Sequence, residues 1–355
     1  MANSGKLNGI IRVLIADDSA YVRKVVREML AGVPVIEVIG AARDGVEALR
    51  LTKELGPDVV ISDLMMPELD GVGFVKEQMS QRPLPILMMS SMDEHDEDTL
   101  SALDAGAIDF IRKPTALATE KIFSMREELV EKIKAAAISR PQALPDLVPP
   151  VEAASQPTRK KSESKGRFDV VVVGISTGGP QALRAFIPSL PADFPIPIAV
   201  VMHMPVGYTA MYAERLNELS TIDFIEAKGG EQLRPGTVFL APGGKHLILE
   251  RAADGSVRTT LTLRPTDMPH RPSVDVLFQS AAKMFGDRVL GVVMTGMGSD
   301  GREGAAWIKA RGGAVYTEAE QSCIVYGMPS SVAEAGLSDR EVTLDQMAQA
   351  LVEVS

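Results

Sequence analysis

Residues 170–180 read VVVVGISTGGP, a short run of β-branched residues that ends in a glycine-rich turn. A continuous apolar run of this length is typical of a strand buried on both faces of a parallel sheet. The glycines allow a tight bend, and Pro180 suits the first turn of a helix because no backbone N–H is needed there. The stretch therefore predicts a strand, a turn and a helix, the repeating unit of an α/β domain.

The same alternation of apolar runs and amphipathic segments recurs along the chain. We predict two doubly wound, mainly parallel-sheet α/β domains. Two strand-like runs flank Asp254-Gly255, and this dipeptide predicts a β-hairpin inserted in the second domain. The predicted strands are residues 13–16, 59–62, 86–89 and 110–112 in the first domain, and 170–173, 198–202, 238–241, 289–294 and 314–317 in the second.

A proline-rich segment separates the two regions, and no aromatic residue occurs between Phe123 and Phe168. A segment so poor in apolar bulk cannot offset the entropy of ordering itself. We therefore interpret residues 135–167 as a linker between a first domain at 10–134 and a second at 168–355. Its basic cluster, residues 159–165, is interpreted as a solvated charge run, with docking on an acidic partner as the alternative.

The composition excludes several classes of protein. With 37 Lys+Arg against 47 Asp+Glu, the net charge is -10, which argues against a nucleic-acid partner because phosphate binding needs a basic face. No apolar run approaches the ~18 residues of a membrane span, and the polar N-terminus is unlike a signal peptide. We expect no membrane insertion and a cytoplasmic location. The lone cysteine, Cys323, excludes a disulfide scaffold and is interpreted as a small buried hydrophobe.

Polar side chains follow successive strands of the first domain. Asp17 and Asp18 follow the first strand, Asp63 the third, Ser90 the fourth and Lys113 the last. The carboxyl ends of parallel strands meet at one edge of a sheet, so these groups are expected to converge. Clustered carboxylates repel one another unless a hard cation joins them, and Mg²⁺ takes oxygen ligands of this kind. We predict a magnesium site here; the alternative is that each acid caps a helix.

Residues 10–134 resemble the receiver domain of two-component response regulators. The resemblance is carried by Asp17-Asp18, the stretch from Asp63 to Gly71, Ser90 and Lys113-Pro114. It implies a flavodoxin-like fold and phosphoryl transfer from a histidine kinase, a reaction that needs chiefly positioning and charge neutralisation. The implied roles are phosphoryl acceptor for Asp63, Mg²⁺ ligands for Asp18, Asp63 and the Met65 carbonyl with Asp17 acting through water, phosphoryl-oxygen contacts for Ser90 and Lys113, and an aromatic switch for Phe110.

The second domain carries a candidate nucleophile. Residues 174–178 match G-x-S-x-G, a pattern that can present Ser176 on a sharp strand-to-helix turn, although the serine could instead cap the helix. A serine needs a base, and His203 follows an apolar strand, as does Asp300 through a short loop. His246 is a rival base and His270 a weaker one, and each of these groups alone could be purely structural.

The same region also supports a different interpretation. Residues 296–301 match G-x-G-x-x-G after a strand, and Glu318 follows the next strand where a ribose-binding acid would lie. Two features count against dinucleotide binding. The carboxylate of Asp300 would repel a pyrophosphate, and the motif comes late in its sheet rather than at the start.

Residues 168–355 are similar to the catalytic domain of the chemotaxis protein-glutamate methylesterase/glutamine deamidase family. The matching stretches are residues 174–179, 203–205, 241–243, 270–275 and 294–301. The resemblance implies a Rossmann-like domain in which Ser176 is the nucleophile, His203 the base and Asp300 its orienter, and the Thr177 and Met297 amides are oxyanion donors. It implies no cofactor in this domain.

The resemblance also implies the partners and the control of the activity. The substrate would be glutamate methyl esters and glutamines on methyl-accepting chemotaxis receptors, and the phosphodonor a chemotaxis histidine kinase. The unphosphorylated receiver is expected to shade the serine edge, and phosphorylation of Asp63 to shift the population toward an open arrangement. The remaining alternatives are a receiver-gated dinucleotide enzyme and a receiver-linked binding module without chemistry.

Overall fold

The computed structural model describes residues 9–90, 96–114, 119–139 and 166–355. The chain divides into two compact units, residues 1–145 and 146–355. Much of the predicted linker, residues 140–165, lies outside the described residues. The last helix of the first unit continues to Ile138, a few residues past the predicted start of that linker. Among the residues that the structure describes, no helix combines the length and the apolar character needed to cross a membrane.

The first unit is a five-stranded parallel sheet with order β2-β1-β3-β4-β5. Every residue of β3 and β4 is buried, which explains why these strands are readable as apolar runs. The β2 strand, which the sequence analysis did not locate, has mixed burial and therefore no such run. The elements are β1 (Ile11–Ala16), α1 (Ala20–Leu30), β2 (Ile36–Ala42), α2 (Gly45–Leu55), β3 (Val59–Asp63), α3 (Gly71–Gln81), β4 (Ile86–Ser90), α4 (Asp96–Asp104), β5 (Asp109–Arg112) and α5 (Thr119–Ile138).

The second unit is built on a seven-stranded parallel sheet with order β14-β13-β12-β6-β7-β9-β8, together with a separate hairpin of β10 and β11. The predicted α/β class and hairpin are confirmed. The elements are β6 (Val170–Ile175), α6 (Gly179–Phe186), β7 (Ile198–Met202), α7 (Tyr208–Leu219), β8 (Asp223–Glu226), β9 (Thr237–Leu240), β10 (His246–Arg251), β11 (Val257–Thr262), α8 (Val274–Phe285), β12 (Val289–Val293), α9 (Arg302–Ala310), β13 (Ala314–Glu318), α10 (Met328–Glu334), β14 (Arg340–Val342) and α11 (Leu344–Val352).

The sequence analysis did not locate β8 and β14, the two edge strands of this sheet. They have only 4 and 3 residues and are partly exposed, so neither contains a long apolar run. The central β6 is buried throughout and lies between β12 and β7. Val170 and Val172 pack in one core cluster with side chains of α8, α9 and α10. Val171 and Val173 are equally buried and point to the opposite face, because side chains alternate along a strand.

Helices α8 and α9 pack closely at Gly304. A Cβ on this residue would lie 2.5 Å from the Phe278 Cβ, closer than such atoms approach one another, and 3.1 Å from the Asp275 Cα, a tight contact with main chain. Because one of these contacts is with main chain, the helices would have to separate.

We expect Gly304→Ala to lower the free energy of unfolding of the second unit by about 1–3 kcal/mol, the usual cost of overpacking. Urea unfolding of the full chain measures this change. Glu303→Ala, at an exposed position of the same helix, is the matched control and is expected to change stability little. Equal stability of the two variants would contradict the packing argument.

Candidate functional site

Three polar residues meet where the second sheet reverses its strand order. Ser176 follows β6, His203 follows β7, and Asp300 lies in the loop after β12. The strand register places Ile175 beside Met202, so the residues that follow each of them are also neighbours. Ligands of open parallel sheets bind at this position because the connecting segments diverge above the strand ends.

The three side chains form a continuous hydrogen-bonded chain. The His203 Nδ1 lies 3.1 Å from the Ser176 Oγ, and the His203 Nε2 lies 2.8 Å from the Asp300 Oδ2. A carboxylate can only accept, so the Nε2 carries the proton and the Nδ1 lone pair faces the serine hydroxyl. The imidazole is therefore oriented to accept the serine proton.

The turn that holds Ser176 is fixed by backbone contacts. The Ser176 N–H donates to the Thr295 carbonyl at 3.0 Å. The residue that precedes helix α6 is Gly178, in the left-handed conformation at φ 80°, so the serine is not the helix cap. Gly296 allows the neighbouring loop to approach, since a Cβ there would lie 2.8 Å from the Ser176 Cβ. The serine side chain is thus left available for His203.

Asp300 is held at the N-terminus of α8. Its carboxylate accepts the Val274 and Asp275 N–H groups at 2.8 and 2.9 Å and the Ser273 hydroxyl at 3.0 Å. Burial alone would raise the pKa of Asp300, but the hydrogen bonds from His203 and from these amides lower it well below its usual range. Asp300 therefore does cap a helix, and it orients His203 at the same time.

Asp300 precedes α9 and binds the start of α8, and Asp275 does the converse from α8. The sequence analysis gave Asp275 no separate role. Its Oδ1 accepts the Gly301 and Gly304 N–H groups at 2.9 and 2.6 Å, at the start of α9. Burial, with the nearby Asp300 charge, raises the pKa of Asp275 to about 7. No local pattern signals this contact, because Asp275 lies in the first turn of α8 and the amides belong to the start of another helix.

The two residues expected to supply oxyanion donors flank the serine. Thr177 follows Ser176 directly, and Met297 follows Gly296, the close neighbour described above. Within the part of the chain that the structure describes, neither backbone N–H donates to another protein group. The Thr177 carbonyl instead accepts the Thr295 hydroxyl at 3.0 Å, which fixes the orientation of this peptide.

The two rival histidines do not contact the serine. His246 is fully buried, accepts the Ser273 N–H at 3.2 Å on Nδ1 and lies 3.1 Å from the Pro265 carbonyl through Nε2. His270 is exposed and stacks on His203, with ring centroids 4.1 Å apart. Of the candidate bases in this domain, only His203 contacts Ser176.

The structure does not support dinucleotide binding, because the acidic residue expected to bind the ribose is not accessible. Glu318 is fully buried and accepts the Thr295 N–H at 2.9 Å and the Ser322 hydroxyl at 3.0 Å. It supports the loop below the serine and is not available to a ribose. Asp300, inside the glycine motif, is bound to His203.

Cys323 is buried, as expected of a small hydrophobe.

The acidic edge of the first domain also assembles. Ligand oxygens of Asp17, Asp18 and Asp63 lie within 4.8 Å of one another. The Lys113 Nζ lies 2.6 Å from Asp63 and 3.1 Å from Asp17. Burial, and then the Asp63 charge, raise the pKa of Asp17 to about 6. One ammonium faces three carboxylates, so the pocket carries excess negative charge that fits a divalent cation.

The other predicted receiver residues lie on the same or adjoining elements. Ser90 ends β4 with its Oγ 2.9 Å from the Thr99 Oγ1. Phe110 is buried on β5, and the Lys132 ammonium lies 5.5 Å from the centroid of its ring. Met65 is half exposed on the loop after β3. The helix-capping alternative does not apply to Asp63, whose carboxylate contacts Lys113, and the helix after Asp17 and Asp18 is capped by Ser19.

We expect Asp17→Asn to stabilise the first unit near neutral pH, in the absence of divalent cations, by roughly 1–3 kcal/mol. Because folding raises this pKa from 3.8 to about 6, the folded state binds the extra proton, and stability falls as pH rises across that window. The variant should lose this part of the pH dependence. Urea unfolding in a chelator measures it, with Glu37→Gln on exposed β2 as the control. A variant less stable than wild type near neutral pH would contradict the charge argument.

Comparisons with known proteins match both units of the chain. The CheB methylesterase family model matches residues 171–351, and the response regulator receiver domain model matches residues 13–124. The crystal structure of the Thermotoga maritima CheB methylesterase catalytic domain is similar, with 41% identity and a TM-score of 0.52, covering 53% of this chain and 99% of that chain.

Two relatives match this chain along nearly their whole length. A protein-glutamate methylesterase/protein-glutamine glutaminase of Myxococcus xanthus is 46% identical over 95% of this chain and 96% of its own length. One from Vibrio cholerae is 40% identical over 97% of this chain and 99% of its own length. The two family models match one unit each, and these relatives match nearly the entire chain. The chain therefore belongs to the CheB family of receiver-linked protein-glutamate methylesterases/protein-glutamine glutaminases.

Proposed function

We propose that Ser176, His203 and Asp300 hydrolyse glutamate methyl esters, and deamidate glutamines, on methyl-accepting chemotaxis receptors. The observation that carries this proposal is the unbroken hydrogen-bonded chain from the Ser176 Oγ through the His203 ring to the Asp300 carboxylate. A serine alcohol is a weak nucleophile unless a base removes its proton, and this geometry supplies that base.

In the first half of the reaction, the Ser176 Oγ bonds to the ester carbonyl carbon as its proton moves to the His203 Nδ1. The Thr177 and Met297 N–H groups stabilise the oxyanion that forms. The C–O bond to the methoxy group then breaks, and His203 returns the proton so that methanol leaves. With a glutamine substrate the C–N bond breaks instead, and ammonia leaves.

In the second half, His203 takes a proton from water as the water attacks the acyl-enzyme. The Ser176 Oγ–C bond then breaks to give glutamate, and His203 returns the proton to the Ser176 Oγ. Asp300 remains ionised throughout, because the hydrogen bonds from His203 and from the helix amides outweigh burial and hold its pKa well below the usual range. It stabilises the imidazolium that forms in each half and keeps the ring in the tautomer that faces the serine.

Replacement of the nucleophile tests this assignment. We expect Ser176→Ala to lower methanol release from methylated receptors by at least about 10³-fold, as removal of a serine nucleophile does elsewhere. A fluorophosphonate probe should label the wild type and not the variant. Ser189→Ala, at an exposed serine of the same domain, is the control. Methanol release by Ser176→Ala at the wild-type rate would contradict the proposal, and nicotinamide binding without labelling would favour the dinucleotide alternative.

The first domain is proposed to control this activity by accepting a phosphoryl group on Asp63 from a chemotaxis histidine kinase. The residues that would hold Mg²⁺ are Asp17, Asp18, Asp63 and the Met65 carbonyl. When bound, the cation supplies charge neutralisation for phosphoryl transfer. Lys113, already 2.6 Å from Asp63, would contact the incoming phosphoryl oxygens together with Ser90. Phe110 is proposed as the side chain that responds to phosphorylation.

Control by the receiver is tested by removing its acceptor. We expect Asp63→Asn to abolish phosphoryl incorporation and activation by a phosphodonor while basal esterase activity remains, since the triad lies in the other domain. Deletion of residues 1–134 should raise basal activity if the unphosphorylated receiver restrains the enzyme. Glu37→Gln, on the exposed face of β2, is the control for substitution in this domain. Unchanged activity after the deletion would count against restraint.

A further inference from the structure

The proposed reaction gives no role to two histidines of the second domain, His246 and His270, and of these His246 is the buried one. It begins β10, pairs across the hairpin with Thr262, and has no exposed surface. Its Nδ1 accepts the Ser273 N–H at 3.2 Å, while its Nε2 lies 3.1 Å from the Pro265 carbonyl oxygen. An amide donor on one nitrogen and a carbonyl acceptor on the other require a neutral ring with its proton on Nε2.

The contacts of His246 with Pro265 and Ser273 hold both ends of one segment, residues 263–273, which we call the hairpin-to-helix connection. Pro265 lies near its start and Ser273 at its end. This connection places His270 against the His203 ring. It also leads into the Ser273 hydroxyl and the first amides of α8, which bind Asp300. A single buried ring therefore supports the segment that holds the orienting carboxylate and lies over the base.

We propose that His246 is a positioning residue for the Asp300–His203 pair, acting as a neutral clamp on the hairpin-to-helix connection. The inference rests on the proposed triad, since it assigns His246 a role in that reaction. His246 touches neither Ser176 nor the substrate-facing side of His203. Its effect passes through Ser273 to Asp300, and from Asp300 to the base.

The surroundings of His246 favour its neutral form. The charged groups that face it are Arg271, from the same connection, and Asp300, from the loop after β12. Burial, with a contribution from the Arg271 charge, lowers the pKa of His246 below its usual range and outweighs the Pro265 hydrogen bond and the Asp300 charge, which both favour the charged ring. Protonation would place a second donor on Nδ1 against the Ser273 N–H, and this repulsion would release the end of the connection that holds Asp300.

Histidine NMR of the full-length wild-type chain tests the clamp directly. We expect the His246 ring to show the Nε2–H tautomer and to remain neutral at a pH just below about 6.5, the ordinary pKa of a histidine. A ring with its proton on Nδ1, or a ring charged near neutral pH, would overturn the inference without any variant having to fold.

Two variants separate the contacts. Asparagine can present an amide oxygen near the Nδ1 position, so His246→Asn keeps an acceptor for the Ser273 N–H; His246→Gln instead keeps a donor toward Pro265. Misplacement of a catalytic group by an ångström costs about 10²-fold in rate. We therefore expect fluorophosphonate labelling of Ser176 to slow by about 10–100-fold in His246→Gln and by clearly less in His246→Asn.

The pH dependence of the labelling rate is a further test, because replacing a residue with only a structural role would leave that dependence unchanged. We expect the labelling rate to fall less steeply with decreasing pH in His246→Asn than in the wild type, because the variant lacks the ring whose protonation would release the connection. The matched control is Ser280→Ala, which removes a hydrogen bond to the Leu249 amide elsewhere on β10 and should leave labelling unchanged. If wild type and both His246 variants label alike, only this inference fails; if the wild type itself does not label, the proposed triad fails first.

Discussion

The Asp300 carboxylate, bound by the first backbone amides of α8, is the interaction on which the catalytic unit depends. Removing a carboxylate from water is costly, and here two amides, the Ser273 hydroxyl and the His203 ring together replace the lost hydration. The same contacts join the loop after β12 to the start of α8. Asp275, in the first turn of α8, binds backbone amides at the start of α9. Each of the two helix starts therefore receives hydrogen bonds from an acid at the start of the other helix.

The two acidic sites of the chain show how surroundings decide the charge of a carboxyl group. Asp300 and Asp17 are both largely buried, and burial raises the pKa of each. At Asp300 the amides and His203 outweigh burial, whereas Asp17 has a neighbouring carboxylate and only partial compensation from Lys113. The first arrangement keeps a permanent anion beside a base. The second leaves a pocket whose repulsion a bound cation would relieve, as suits phosphoryl transfer.

Strand-end reasoning located much of both sites before any geometry was available, since polar residues that follow buried strands of one parallel sheet meet at one edge. Ser176, His203 and Asp300 were brought together in this way, and so were Asp17, Asp63 and Lys113. The sequence did not indicate which of these polar side chains would be buried away from the site. Glu318 and Asp300 both follow strands of the same sheet, yet one carboxylate supports the loop from below and the other faces the base. The edge strands β8 and β14 were missed because they are short and half solvated.

The order of residue types along the chain specified two parallel-sheet units, their hairpin and the candidate groups for chemistry, because hydrophobic periodicity and turn residues act over a few neighbouring positions. Contacts across 26 or 97 residues, such as Val274 to Asp300 or His203 to Asp300, arise only when the sheet has formed. The same holds for the choice among three histidines. His203 faces the serine, His270 stacks on the His203 ring, and His246 binds the segment between the hairpin and α8. These different positions depend on the packing around each ring, and no local pattern in the chain predicts that packing.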